Sequence, residues 1–483
     1  MTAALKSLLA TCDWSGAERY IRDVVEAAPV PMPREPLAVA PLERRVAPVL
    51  YLPVEIKSRE WRSKIAIARE ACHLGFTTVI GACWGMQLGG YSGWPPGVIL
   101  FKSLNSLDAV NMARARENGH LIAALDEEAF SRGPGNALKT DPQAALFCDL
   151  LLAQGDAYAR EHSAKCHKCD TPAVAKCYVG RTLESGVLVC QKHGDEMWKA
   201  CKSQVEMNLV AWRNEDVRQP VVTGNPRADV LPKLAPGDET LVCSMSGNIN
   251  GISPFDEVVA RSLAMSPGVG AREAFLAAML RELRGLKDAF DTAFDVASHA
   301  ITIGSRVVFR PHPAEDHDLW RSLLWPYQVT ITNTGDVADW IAGARHTYYV
   351  AGCGCGITAR LMGAACTALG NGHDQALGPD YLEPGPSAPR VAQALWRLYS
   401  DHADPAYDRN SMLKRRLSYF APAEFHANKF PPTKVEEVQA ALPGLSVAQV
   451  EPNLFAVLPS LSCDDHGVVY CPECRKVAAR VSA

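Results

Sequence analysis

The sequence predicts an α/β protein built on two doubly wound, largely parallel sheets. Short apolar strand-like runs alternate with helical stretches from residue 48 to 152, and the rhythm returns from residue 220 to 369. Two of these strands end in ligand-type turns. Val307-Val308-Phe309 runs into Arg310-Pro311-His312-Pro313, and Tyr348-Tyr349-Val350 runs into Ala351-Gly352-Cys353-Gly354-Cys355-Gly356. In open α/β sheets the carboxyl ends of strands are where ligands bind.

In chain order, residues 1–45 read as a helical preface and a linker. Leu5, Leu8 and Leu9, then Tyr20, Ile21, Val24 and Val25, recur at helical spacing, and five prolines follow between Ala28 and Pro41. A first α/β domain spans 46–225. Its strands are Pro48–Val54, Phe76–Ile80, Val98–Phe101, His120–Leu125 and Cys148–Leu152, with helices at Ser58–Leu74 and Ser106–Asn118. The pattern breaks over 164–202, which reads as an insertion, and resumes with a helix near 203–213 and a strand at Pro220–Thr223. Thr223-Gly224-Asn225-Pro226-Arg227-Ala228-Asp229 is turn-rich and reads as the crossing into a second domain, 226–400. Strands are expected there near 240–244, 305–310, 327–332, 347–350 and 366–369, and helices near 270–298, 315–324, 336–343 and 357–362. Residues 401–458 are expected to form C-terminal helices and a connection, and 459–483 a cysteine-rich tail.

Composition narrows the class. A chain of 483 residues with 48% hydrophobic content supports two or three cored domains. A net charge of −4 and a pI of about 6.4 do not suit a whole-surface nucleic-acid or membrane binder. No apolar run approaches the roughly 18–20 residues of a spanning helix, and the first residues lack a signal-peptide core, so a cytoplasmic protein without a transmembrane segment is expected.

Sixteen cysteines fall into two kinds. Cys72, Cys83, Cys148, Cys243 and Cys366 lie singly in apolar surroundings, as small hydrophobes do. Others pair with histidine at metal-ligand spacing. Cys166 and Cys169, then Cys190 and His193, give two short pairs with twenty residues between them, the spacing of a structural zinc ribbon or treble clef. Cys177, Cys201 and His167 are spare donors. Cys463, His466, Cys471 and Cys474 repeat the Cys₃His set over a length like that of a zinc knuckle. Four protein ligands leave no open position, so both zinc ions are expected to be structural, each supplying on the order of 10 kcal/mol to a segment with little core.

The chemistry points to a phosphate-bearing ligand. Glycines at 352, 354 and 356 let backbone approach a ligand, a helix opening at Ile357 favours an anion, and Thr358 adds a hydroxyl. The spacing matches neither the dinucleotide fingerprint nor a Walker loop, and a plain strand-to-helix turn is the alternative. Arg310 and His312, one a cation and the other a proton donor, are expected at the same sheet edge, a set suited to a diphosphate or nucleoside monophosphate. The alternative is a Pro-stiffened turn with a solvated histidine.

Several passages resemble bacterial surface carbohydrate biosynthesis proteins, which are similar to β-Kdo glycosyltransferases and, more distantly, to polyglycerol-phosphate polymerases. They are Tyr51 to Glu60, Pro96 to Ser103, Ala124-Leu125-Asp126-Glu127-Glu128, Thr223 to Asp229 and the Arg-Pro-His-Pro stretch. The resemblance covers roughly 47–162 and 203–375. It implies a GT-B-like fold, two Rossmann-like domains facing a cleft. Here that fold would carry the inserted zinc-binding module and the C-terminal zinc knuckle. It also implies a nucleotide-activated sugar donor, CMP- or UDP-linked and possibly Kdo-like, held mainly by the second domain through Arg310, His312, Gly352, Gly354, Cys355, Gly356 and Thr358, without a catalytic metal. Where the family's loop continues Ile-Glu-Ala and then Gly-Lys-Pro, this chain has Ile357-Thr358-Ala359 and Gly363-Ala364-Ala365.

Sugar transfer needs a base for the acceptor hydroxyl or a carboxylate nucleophile. Asp126, Glu127 and Glu128 follow a strand and are the candidates, with a solvated acidic helix start as the alternative. Glu55 and Asp229 are weaker ones, and Lys57 and Arg59 are candidates to meet an acidic acceptor, with a solvated helix start as the alternative. The expected function is transfer of a sugar to a carbohydrate acceptor in surface polysaccharide synthesis. Two other readings stay open. One is a phage-type transferase that modifies DNA or another macromolecule presented by the zinc modules. The other is a non-catalytic zinc-stabilised binding protein on a degenerate frame.

Overall fold

The computed structural model describes residues 3–29, 44–88, 90–104, 106–125, 127, 144, 147–155, 175–177, 187–189, 209–211, 220–251, 254–265, 271–303, 306–327, 329–350, 353–369, 383, 385–407 and 429–459. In chain order the elements are α1 (Ala3–Ala10), α2 (Trp14–Ala27), β1 (Val49–Val54), α3 (Lys57–His73), β2 (Thr77–Ala82), α4 (Cys83–Leu88), β3 (Val98–Phe101), α5 (Ser106–Glu117), β4 (Leu121–Leu125) and β5 (Leu150–Ala153). Then come β6 (Ala175–Cys177), β7 (Val187–Val189), β8 (Leu209–Ala211), β9 (Val221–Val222), α6 (Pro226–Asp229), β10 (Glu239–Cys243), α7 (Phe255–Met265), α8 (Ala271–Ile303) and β11 (Val307–Arg310). The remainder are α9 (His317–Leu324), β12 (Thr330–Ile331), α10 (Val337–Gly343), β13 (Ala344–Val350), α11 (Gly354–Leu361), β14 (Cys366–Leu369), α12 (Ser387–Ser400), α13 (Val435–Ala441), β15 (Ser446–Glu451) and β16 (Leu454–Leu458).

These elements form two compact units, one drawn from Met1–Glu35 and Leu231–Ala376, the other from Pro36–Ala129, Gly135–Val230 and Leu377–Ala483. Both are α/β with parallel strands, as the alternating pattern requires. Among the described residues no helix is long and apolar enough to cross a membrane.

The second-named unit carries an eight-stranded sheet in the order β15-β16-β2-β1-β3-β4-β5-β9. β1 lies between β2 and β3, parallel to both, and its six residues are all buried. Strand periodicity splits them between two cores: Leu50, Leu52 and Val54 pack into one, Val49 and Tyr51 into the other. Full burial on both faces is why the strand reads as a continuous apolar run. α12 seals the first of these cores with Val391, Ala392, Leu395 and Leu398, and Trp396 stands edge-on to Phe76 at 5.0 Å. Its N-cap, Pro386, has no capping side chain. Asp229 caps it from a distance instead, accepting from Ser387 Oγ at 3.0 Å and Ala388 N at 3.0 Å. Gly224 (φ +81°) makes this closeness possible, since a Cβ there would sit 2.3 Å from Ser387 Oγ.

The first-named unit carries a five-stranded parallel sheet in the order β12-β11-β10-β13-β14. The order runs outward from β10 through β11 to β12, then returns to β13 on the opposite side. That leaves a topological switch point between β10 and β13.

Four expectations need correction. The preface is not a separate element: α1 and α2 bury Leu5, Leu9, Ala17, Ile21 and Val25 in the core of the five-stranded unit, beside α8 residues such as Leu283 and Leu286. The second α/β domain does not run to residue 400, because α12 belongs to the eight-stranded unit. Residues 401–458 are not only helices and connection: β15 and β16 form an antiparallel hairpin that adds to β2. Asn453, at φ 61°, turns it, a left-handed conformation that asparagine tolerates. Finally, the helix expected near 203–213 contains strand β8, which joins β6 and β7 in a small antiparallel sheet. The proposed zinc ligands Cys166, Cys169, Cys190, His193, Cys463, His466, Cys471 and Cys474 lie outside the described residues.

Candidate functional site

In the five-stranded unit, the segments leaving β10, β11 and β13 carry the polar groups nearest the switch point. β10 ends at Cys243 and continues through Ser244, Met245, Ser246 and Gly247. β11 ends at Arg310, with Pro311 and His312 beyond it. α11 opens after β13, with Cys353 as its N-cap.

Glu315 ties two of these segments together. It is fully buried and accepts four hydrogen bonds: from Ser244 Oγ (2.7 Å), Ser246 N (2.8 Å), Trp320 Nε1 (2.6 Å) and His312 N (3.3 Å). Burial pushes its carboxyl pKa up, against the pull of those donors. The neighbouring Asp316 caps α9, and the backbone N–H of Asp316 donates to Asn250 O at 2.7 Å. Glu282, on α8, holds the far end of the β10 loop by accepting from Asn248 N (2.7 Å), Asn248 Nδ2 (2.8 Å) and Ile249 N (3.2 Å). Desolvation raises it to about 7. On the loop that these two acids hold, Ser246 Oγ and Asn250 Oδ1 are buried without a protein partner. Each is hydrogen-bonding capacity that a bound polar group would satisfy, and leaving such a group unmet costs about 1–3 kcal/mol.

The expected donor-binding residues divide by what the structure does with them. Arg310 is buried and donates to three carbonyls of the segment after β12: Thr334 (2.7 Å), Asn333 (3.1 Å) and Gly335 (2.6 Å). Its guanidinium therefore braces a loop. His312 Nδ1 accepts from Ala314 N at 3.2 Å, so the neutral ring carries its proton on Nε2. Gly356 answers a packing need, because a Cβ there would lie 2.0 Å from the Tyr349 ring. Thr358 is buried, and its hydroxyl donates to Gly354 O at 3.0 Å, within the helix. Cys355, partly exposed in the first turn of α11, donates its N–H to Cys353 Sγ at 3.5 Å. Gly352 lies outside the described residues.

In the eight-stranded unit the switch point falls between β1 and β3, and ion pairs fill the edge. Glu55, just past β1, pairs with Lys102, just past β3, and with Lys429 at 2.9 Å. Glu60 is fully buried, accepts from Arg59 Nη2 at 2.7 Å and from Glu55 N at 2.7 Å, and lies 3.6 Å from Lys102. Burial pushes the Glu55 carboxyl up, but Lys102, Lys429 and Arg59 outweigh it and hold it well below the usual range. Lys57 turns away, to Thr433 (2.7 Å) and Glu437 (3.0 Å).

Of the three expected catalytic acids, Glu127 is buried in an ion pair with the wholly buried Lys64 at 2.6 Å, its second oxygen unpartnered. Such a carboxylate is anchored inside the fold and is not the solvated acid that the local sequence suggests. Asp126 and Glu128 lie outside the described residues. Asp229 is engaged as the cap of α12. Sequence reasoning missed Glu315, Glu282 and Lys64 as organisers. Nothing local marks them: Glu315 stands beside Asp316, Glu282 between Arg281 and Leu283, and Lys64 between Ser63 and Ile65.

Comparison with protein-family models, with curated proteins and with solved structures finds no match.

Proposed function

We propose that the chain is a glycosyltransferase of GT-B type that takes a nucleotide-activated sugar, CMP- or UDP-linked, at the β10/β13 switch point and transfers the sugar to a carbohydrate acceptor. The observation that carries this reading is the β10 loop. A buried carboxylate, Glu315, and a half-buried one, Glu282, pin it, its hydroxyl at Ser246 is unpartnered, and His312 lies beside it with its proton directed to Nε2. Together with the first turn of α11, these groups offer neutral donors to a phosphate. In this reading His312 donates a proton or hydrogen bond to the departing nucleotide phosphate, and Arg310 is a positioning residue. Glu127 anchors the acidic segment after β4, and Asp126 or Glu128 supplies the base. Two structural zinc ions, at Cys166, Cys169, Cys190 and His193 and at Cys463, His466, Cys471 and Cys474, complete the assembly and give a macromolecular acceptor a place to dock.

The test is turnover across a panel of CMP- and UDP-sugars, with and without acceptor oligosaccharides. His312→Ala should lower turnover by about 10²–10⁴, the range for loss of a positioned proton donor. Undiminished turnover would remove the assigned role. A second reading, a nucleotide-binding protein without transfer, is favoured by the engagement of Arg310 with three carbonyls and of Glu127 with Lys64. Calorimetry that shows nucleotide binding while every sugar survives intact would select it.

A further inference from the structure

The switch point of the five-stranded unit holds three thiols that the proposed transfer does not use. Cys243 is the last residue of β10, in register with Arg310 on one side and Tyr349 on the other. Cys353 caps α11, and Cys355 sits in its first turn. Cys243 and Cys353 are buried and Cys355 is partly exposed. Cys355 packs against the apolar cluster that contains Cys243 and Cys353, and Arg310 and His312 lie near enough to act on its charge. The neighbouring thiols of Cys243 and Cys353, foremost, lower the Cys355 thiol below the usual range. Of the three, Cys355 is the one open to solvent, and the buried Cys243 can be reached only through it. A partly exposed thiol at a helix N-terminus beside a guanidinium is the setting in which cysteines react.

We propose that Cys243 and Cys355 form an oxidation site, in which Cys355 reacts with peroxides and Cys243 resolves the product as a disulfide. The Cys355 thiolate attacks one oxygen of hydrogen peroxide and the O–O bond breaks. Cys355 becomes a sulfenic acid, and the departing hydroxide leaves as water after protonation. Cys243 then attacks the sulfenic sulfur. An S–S bond forms, the S–O bond breaks, and the Cys243 proton leaves with the hydroxide as a second water. Two thiols are oxidised to one disulfide and one peroxide is reduced to two waters. Cys353 is the less suited partner. Its sulfur accepts the Cys355 N–H as the helix cap, and it stands only two residues away on the same turn. The crosslink joins the end of β10 to the first turn of α11, across the position assigned to the donor phosphate. That consequence rests on the proposed function; the thiol chemistry does not.

The experiment treats the intact chain with one equivalent of hydrogen peroxide, then alkylates and maps peptides by mass spectrometry. Before oxidation, iodoacetamide should label Cys355 at least about tenfold faster than the buried Cys72 and Cys148, because the thiolate is the nucleophile. After oxidation a Cys243–Cys355 crosslink should appear, and dithiothreitol should reverse it. Cys243→Ala should leave Cys355 trapped by dimedone as the sulfenic acid, whereas Cys355→Ser should leave Cys243 reduced. Labelling of Cys355 as slow as that of Cys72, or a crosslink confined to Cys353 and Cys355, would overturn the assignment. The labelling and crosslink arms use the unsubstituted chain, so they stand even if a variant fails to fold. Nucleotide calorimetry on the oxidised chain separates the two levels. An intact crosslink with unchanged nucleotide affinity keeps the oxidation site and rejects the donor position.

Discussion

The two units answer the same topological problem with opposite materials. Each has a parallel sheet, extended by an antiparallel hairpin in the eight-stranded case, whose parallel strand order reverses once, and each therefore has a switch point at its carboxyl edge. In the eight-stranded unit that edge is filled from within: Glu55, Glu60, Lys102, Arg59 and Lys429 neutralise one another, with Lys64 and Glu127 buried nearby. In the five-stranded unit the corresponding acids face uncharged donors. Glu315 accepts from hydroxyl, indole and backbone N–H groups, and Glu282 from amides. Their effect is to hold in place a loop on which the Ser246 hydroxyl is buried without a protein partner. A doubly wound sheet supplies a polar rim by its geometry. Whether that rim is consumed internally or left for a ligand is decided by side chains a few residues past the strand ends.

The comparison breaks most readily at Lys64. If the eight-stranded edge is held by buried ion pairs, Lys64→Met strands the Glu127 carboxylate and should cost about 3–5 kcal/mol, measured by urea unfolding. The double substitution Lys64→Met with Glu127→Leu should recover most of that loss, since an apolar pair of similar volume removes the unpaired charge. A cost under about 1 kcal/mol for the single change would mean that the pair does not hold this edge. On the other unit Glu315→Ala should cost about 2–4 kcal/mol, because it leaves four buried donors unmet, and amide exchange should accelerate along 244–251. Acceleration spread evenly through the unit would argue that Glu315 stabilises the core and not the loop.

What sequence reading could and could not reach follows the same division. The alternation of strand and helix was legible because burial on both faces of β1, β3 and β4 leaves long apolar runs. The Arg310 and His312 edge was legible because two prolines end a strand there. The partner of an apolar face was not. The Leu5, Leu9, Ile21 and Val25 stripe announces burial, and only the tertiary structure shows that the surface it meets belongs to residues 231–369. The β15–β16 hairpin was hidden because Ser446–Glu451 mixes polar residues as an edge strand does. In the sequence Glu315 and Asp316 stand side by side just before α9. Asp316 is the cap, and Glu315 turns inward to Trp320. Gly356 suggested a phosphate cradle, yet the Tyr349 ring alone accounts for it. The β10–β13 register sets Cys243 beside Tyr349, and Cys355 packs against the same cluster; no local pattern carries that information.

Acid should separate the units next. His120 is buried in the eight-stranded unit, its Nδ1 accepting from Gly97 N at 3.2 Å, and burial lowers it from 6.5 to about 4. The unfolded chain takes up this proton first. The stability tied to neutral His120 is therefore complete above about pH 6.5 and is lost as pH falls toward 4, up to about 3 kcal/mol. Glu55 and Glu60, held low by their cations, add a loss only below the usual carboxylate range. Exchange rates corrected for intrinsic chemistry should show β1 and β3 weakening between pH 6.5 and 4, and His120→Gln should flatten that limb.

The smallest effect runs in the opposite direction and sharpens the contrast most. Glu282 is raised from 4.5 to about 7, so the folded five-stranded unit keeps a proton that the unfolded chain has released. Its contribution is complete below about pH 4.5 and is lost as pH rises through 7. Because Glu282 is half-buried, solvent screening should reduce this to about 1–2 kcal/mol. Burial raises Glu315 in the same sense, whereas Asp316 and His317, both lowered, oppose it. The decisive quantity is therefore a difference of slopes. Stability of β10 and α8 measured from pH 5 to 8 should fall more steeply in the unsubstituted chain than in Glu282→Gln, which cannot titrate. Equal slopes would transfer the effect to Glu315, the other acid that holds the loop. A slope of opposite sign in both chains would mean that the five-stranded unit, like its neighbour, is governed by groups that lose stability in acid.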